Sequence, residues 1–142
     1  MKKEFSRVLL KNQSDEILIL KDRPDTWNFP GGKQELGESA LECAIREMKE
    51  ELAVEITELE EIFTGPLVFD SIVWQGHFYF AKQAQGKVTL NEPNKIKGVQ
   101  FIKRFEEVNF SPGLAPLFDY FRKSKEKSWA LFIPNKYVIV IK

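Results

Sequence analysis

The sequence has one cysteine, one histidine, no net charge and no apolar run long enough to span a bilayer. Each scarcity removes a class of explanation. Cys43 has no partner for an internal disulfide, and no Cys/His cluster carries zinc spacing, so a disulfide scaffold and a zinc module are excluded. A reducing, cytoplasmic setting is the expectation. Twenty-one basic residues balance twenty-one acidic ones, which gives no whole-molecule attraction to nucleic acid or to an anionic membrane. An anionic ligand must therefore be held locally. The first twenty residues contain no uninterrupted apolar stretch followed by small cleavage-site residues, so export is not expected. Internal repeats and low-complexity segments are lacking too.

What is present is core-forming material. A chain of 142 residues, 43% hydrophobic and with twelve Phe and three Trp, suffices for one compact domain over 1–142 and is short for two. Phe5 to Leu10 and Ile17 to Leu20 read as strands joined by the turn-forming Asn12 to Asp15, hence as a hairpin. Asp22 to Leu36 reads as a loop broken by Pro30-Gly31-Gly32. Ser39 and Glu42 form a capping box ahead of Leu41, Ala44, Ile45, Met48 and Leu52, which recur at helical spacing and predict a helix over 40–52. Ile56 to Thr64, Val68 to Trp74, Gly76 to Lys82, Val88 to Leu90 and Val99 to Ile102 read as strands. Leu114 to Lys123 reads as a second helix. Trp129 to Ile133 and Tyr137 to Ile141 read as a terminal hairpin, which could cover a sheet edge or pair two subunits into a homodimer. The alternation of strands and isolated helices implies a mixed α/β sandwich.

The chemistry concentrates on the first helix. At about 100° per residue, Glu47, Glu50 and Glu51 share an arc apart from the apolar stripe. Like charges at this spacing repel by a few tenths of a kcal/mol per pair, so something must compensate. Clustered carboxylate oxygens are what a hard cation such as Mg²⁺ requires, with Mn²⁺ as a substitute. Arg46 lies beside Glu50 and within reach of Glu38, where it would orient a carboxylate rather than react. An isolated Glu-rich face is usually plain solvated surface. Here the acids recur at fixed distances from Gly31-Gly32 and Glu38, which argues against coincidence.

Taken together, Gly32, Glu38, Arg46-Glu47 and Glu50-Glu51 resemble the Nudix box, with Ala53 where the family has a helix-closing glycine. Alanine disfavours a left-handed cap by roughly 1 kcal/mol, so the helix is expected to end differently or to run on for a residue or two. The resemblance implies the family's α/β/α sandwich with a mixed sheet. It also implies metal ligation by Glu47, Glu50, Glu51 and the Gly31 carbonyl, with Glu47 or Glu92 as general base.

The stretch from Asn91 through Phe101 to Pro112 is similar to MutT-type nucleoside triphosphate pyrophosphohydrolases, which release a nucleoside monophosphate and pyrophosphate. The asparagine those enzymes use to read an oxidised purine falls at Leu114, so selective action on 8-oxo-dGTP is not implied. Arg23 and Lys33 flank the loop entering the box and are candidates for phosphate contact. Trp27 and Phe29 could stack on a base or serve as packing, and His77 could line a pocket or be structural. Rival substrates are ADP-sugars, dinucleoside polyphosphates and RNA 5′ ends. A rival of another class is a Nudix-fold regulator that binds a nucleotide without cleaving it.

Overall fold

The computed structural model describes residues 3–91 and 98–123, and the backbone of 139–141. Strand β1 (Glu4–Leu9) occupies the centre of a mixed sheet. It pairs antiparallel with β4 (Gly31–Lys33) on one side and parallel with β6 (Ile72–Gly86) on the other. Strand β5 (Glu55–Phe69) closes the sheet on the far side of β6, giving the order β4-β1-β6-β5. A second sheet has β2 (Ile17–Arg23) between β3 (Thr26–Asn28) and β7 (Gly98–Ile102).

The apolar residues of β1 and β2 alternate between two cores, as period-2 geometry requires. Val8, Leu10, Leu18 and Leu20 pack with Ala44, Met48 and Leu52 of α1 (Ala40–Leu52). Phe5, Leu9, Ile17 and Ile19 pack with Phe29, Leu117 and Phe121, the last two from α2 (Ala115–Lys123). Helix, sheet and helix thus form the expected α/β/α sandwich. Among the described residues no helix is long and apolar enough to cross a membrane.

Several sequence expectations give way to longer-range pairing. The hairpin of the first two strands persists only at its turn, where Leu18 N–H donates to the Leu10 carbonyl at 2.9 Å. Beyond that point β1 and β2 enter different sheets, because β1 finds β4 and β6 as partners while β2 finds β3 and β7. The Asp22 to Leu36 segment is not all loop, since it contains β3 and β4. The three strands expected between Ile56 and Lys82 are two strands of fifteen residues each. Gly65-Pro66 and Gln75-Gly76 look like breaks, yet Gly65 pairs with Gly76 and Pro66 with Gln75 inside the ladder. The real turn is Asp70-Ser71, both at positive φ, as in a tight two-residue hairpin. Val88 to Leu90 forms no strand. Thr89 N–H instead donates to Leu52 C=O and Asn91 N–H to Glu51 C=O, capping the end of α1.

Of the terminal hairpin, only Ile139–Ile141 is described, and it pairs in parallel with β6 at Ala84–Gly86. The remainder, 129–138, lies outside the described residues, so the dimer expectation has no structural counterpart here.

Helix α1 starts as expected. The Ser39 hydroxyl accepts from Glu42 N–H at 3.0 Å, and the Glu42 carboxylate accepts from Ser39 N–H at 2.9 Å. Its end departs from expectation, because Ala53 adopts the left-handed cap that the missing glycine would have favoured (φ 59°, ψ 31°). The fold around it holds the position: Ala53 N–H donates to Lys49 C=O and Val54 N–H to Met48 C=O. Ala53→Gly is expected to stabilise the chain by roughly 0.5–1 kcal/mol, read as a higher urea midpoint at unchanged slope.

Candidate active site

The helical wheel places the apolar stripe one residue off centre. Leu41 is exposed and Ile45 only half-buried, while Cys43, Ala44, Met48, Glu51 and Leu52 face inward. The rotation follows from anchoring at the helix start, where the Ser6 hydroxyl donates to Ala40 C=O at 2.7 Å. As a result the three glutamates are graded rather than equivalent. Glu51 is buried at 8% exposure, the Glu47 side chain is 15% exposed and that of Glu50 is 55% exposed.

Glu47 and Glu51 line a cleft of about 590 Å³ together with Gly31, Gly32 and Lys33. That volume is ordinary for a small-molecule site. Two glycines let the helix come this close to β4. A Cβ on Gly32 would stand 2.4–2.6 Å from the Glu47 carboxyl atoms, so that carboxylate rests on bare backbone. Gly31 sits at φ 149°, donates its N–H to Glu51 Oε1 at 3.1 Å, and has no room for a Cβ, which would fall 2.0 Å from the Ser6 carbonyl oxygen. Among the described residues, no three acidic, His or Cys side chains are gathered tightly enough to hold a metal ion unaided. The donor chemistry nevertheless suits a hard cation: carboxylate oxygens in a cleft wide enough for waters and substrate oxygens to complete the shell.

Arg46 binds the acidic cluster together. Its Nε and Nη2 donate to the two Glu38 oxygens at 2.5 and 2.9 Å, and Nη1 donates to Glu47 at 2.9 Å and Glu50 at 3.1 Å. Nη2 also donates to Lys33 C=O, tying the helix to the loop after β4. Arg46 reaches both Glu38 and Glu50, the two partners its spacing allows, and with Glu35 at 2.9 Å from Nε its planar, fixed donor set meets four acids at once. These bonds hold the Glu38 carboxyl below its ordinary value of 4.5.

A folded pKa lower than the unfolded one gives stability that is present above about pH 4.5 and is lost as pH falls through the lower, folded value. Arg46→Met removes this contribution. Its deficit in urea midpoint against the parent is expected to be largest near neutrality and to shrink on acidification.

Arg23 and Lys33 both line the cleft. Arg23 is engaged across its mouth with Asp70 at the tip of the β5–β6 hairpin, at 2.5 Å and with both side chains exposed. Lys33 stands over the Trp74 ring at 5.5 Å. Glu92 lies outside the described residues. Phe29 is core, stacked on Phe110 at 5.2 Å, and Trp27 packs against the same aromatic cluster. His77 pairs with Glu4 at 2.8 Å, a structural contact on β1 and β6. Cys43 is buried, and desolvation pushes its thiol up to about 11, in keeping with its having no assigned chemistry.

The sequence reading passed over Arg7, Asp22, Asn28 and Trp74, all of which line the cleft. Arg7 falls between Phe5 and Leu9 on one face of its strand, and a charged residue between two apolar ones at period-2 spacing is the available signal. A second hollow of about 620 Å³ lies against α2 between Phe105, Phe110, Phe118 and Arg122, and contains none of the box carboxylates.

With this geometry in place, comparison with known proteins is direct. The NUDIX domain profile matches residues 3–123. A Bacillus subtilis protein named "Putative 8-oxo-dGTP diphosphatase" is 30% identical over 115 residues, covering 78% of this chain and 68% of that protein. An NAD-capped RNA hydrolase of Pseudomonas putida is 28% identical over 99 residues, covering 68% of this chain but only 35% of the relative's length. Among solved structures, MutT of Aliivibrio salmonicida and Vibrio cholerae superposes with a TM-score of 0.69 at 24% identity, covering 84% of this chain and 95% of that one. The chain belongs to the Nudix family. Its fold is MutT-like, and its class is that of the Nudix pyrophosphohydrolases.

Proposed function

We propose that this enzyme hydrolyses a nucleoside triphosphate, ribo or deoxy, to the monophosphate and pyrophosphate with Mg²⁺ as cofactor and Mn²⁺ as substitute. The observation that carries this reading is the seating of Glu47 and Glu51 against Gly31-Gly32 at one end of a nucleotide-sized cleft. Glu47, Glu51 and Glu50, with the Gly31 carbonyl, would hold the metal. When bound, it would neutralise polyphosphate charge and lower the pKa of the attacking water.

The chain's own groups do the remainder. Glu47 accepts the proton of the attacking water, with Glu92 as the second candidate for that role. Arg46 fixes the carboxylates, and Lys33 and Arg23 take phosphate oxygens at the cleft mouth, Arg23 after leaving Asp70. A lone, unreactive cysteine is compatible with work in the cytoplasm.

The test is a panel of canonical and oxidised triphosphates, ADP-ribose, a dinucleoside tetraphosphate, and triphosphate-ended and NAD-capped RNA, incubated with Mg²⁺ and followed by product identification. Monophosphate plus pyrophosphate from the triphosphates is the expected result. Faster turnover of a capped RNA or of ADP-ribose would transfer the reading to those substrates. Nucleotide binding that persists in chelator, with no product from any member, would mark a regulator instead.

A further inference from the structure

Arg23 and Asp70 stand 47 residues apart in sequence, Arg23 at the end of β2 in one sheet and Asp70 in the tight turn joining β5 to β6 of the other. Their ion pair, Nη2 to Oδ2 at 2.5 Å, ties the two sheets together across the mouth of the cleft that Lys33, Glu47 and Glu51 also line. Both side chains are more than half exposed, at 56% and 64%. An exposed pair of this kind adds little to stability, so its position at the cleft mouth calls for another explanation.

The two partners are unequally held. Asp70 sits on a tip that is packed from behind. The Phe69 ring meets Phe5 edge-on at 5.7 Å, and it lies so close to Gly113 that a Cβ there would stand 2.5 Å from it. Arg23 carries its guanidinium on a flexible, exposed stem, at a point where the β2–β3 register shifts. The carboxylate is thus the fixed group and the guanidinium the one able to turn. To a guanidinium, a carboxylate offers what a phosphate offers, two oxygens sharing negative charge. It offers less of it, because a nucleoside triphosphate brings several charges where Asp70 brings one. Asp22 lines the same cleft and adds its own negative charge to the field at Arg23.

We propose that Asp70 is an affinity-setting residue that holds the place of a substrate phosphate on Arg23 and competes with it. In the free enzyme Asp70 neutralises Arg23. A triphosphate takes Arg23 from Asp70 by its greater charge. After hydrolysis Asp70 takes it back, which speeds release of products that each carry less charge than the substrate. The carboxylate exchanges binding strength for turnover. The assignment deepens the nucleotide-hydrolase reading of this cleft and rests on it, with Arg23 as a phosphate contact.

The test is a double-mutant cycle of Asp70→Asn and Arg23→Gln, read as kcat and KM for dGTP and dATP and as Ki for pyrophosphate and the nucleoside monophosphate. Binding, in Mg²⁺, of a triphosphate analogue with an imido bridge between its α and β phosphorus atoms is measured in parallel. Asparagine tolerates the positive φ of Asp70, so Asp70→Asn removes the charge and leaves the turn in place. Should its urea midpoint fall well below the parent's, Asp70→Gly, which the same turn accepts, stands in. The expected result is a gain: analogue binding tightens and KM falls by roughly 2- to 5-fold, the range for releasing one exposed ion pair. The Ki of at least one product falls with it, and kcat does not rise. Arg23→Gln weakens binding, and in its background Asp70→Asn has almost no further effect. A gain of equal size in that background would mean that Asp70 acts by bare repulsion and would overturn the proposal. Unchanged or weaker binding in Asp70→Asn, or unchanged binding in Arg23→Gln, overturns it too. If the parent cleaves no triphosphate, the hydrolase reading fails separately. The analogue affinities then decide: tightening in Asp70→Asn that vanishes without Arg23 sustains the competition, and any other pattern overturns it.

Discussion

Glu47→Gln is expected to reduce kcat by 10²- to 10⁴-fold, the usual loss when a general base is removed, with a much smaller change in substrate affinity. The substitution keeps the side chain's size and its seat over Gly32. Arg46 retains Glu38 and Glu50 as partners, so the cluster is not left with an unpaired buried cation. A thermal midpoint within a few degrees of the parent, alongside the kinetic loss, would locate the effect in chemistry rather than folding. Unchanged turnover would exclude Glu47 as the base and direct attention to Glu92.

The adjacent glycines are expected to fail in opposite ways. Gly32→Ala puts a methyl group into the space of the Glu47 carboxylate, and that carboxylate is the end of a flexible side chain. The helix can keep its place while the acid swings away. Activity should fall about as far as in Glu47→Gln, with little loss of stability. Gly31→Ala meets backbone instead: its Cβ would overlap the Ser6 carbonyl oxygen at 2.0 Å, and φ 149° is strained for any L side chain. A destabilisation on the order of 3 kcal/mol is expected, from strain and overpacking together. Urea melts and single-turnover rates of the two variants separate the cases. Equal destabilisation by both would show that Glu47 is less mobile than its position implies.

The site was only partly legible before the fold. Ser39 and Glu42 announced the helix start, and the spacing of Glu47, Glu50 and Glu51 announced a shared arc, because both are properties of one helix. The same wheel could not grade the three acids. Their burial depends on which side of α1 meets β1 and β4, and that is set by Ser6 reaching Ala40 and by the missing side chains at Gly31 and Gly32. Ala53 marks the reverse case, where local preference pointed away from a left-handed cap and tertiary contacts imposed it.

By itself, the sequence determined the local devices: the capped helix, its acidic arc and the reach of Arg46 to Glu38 and Glu50, all encoded within one short segment by helical period and side-chain chemistry. The tertiary structure alone decided how distant segments meet. It joined Gly65 to Gly76 within one long hairpin, divided β1 and β2 between two sheets, and brought Arg7, Asp22 and Trp74 to one cleft. The physical reason is that strand pairing is non-local. A period-2 pattern states which face of a strand is buried, but it carries no information on which strand lies beside it.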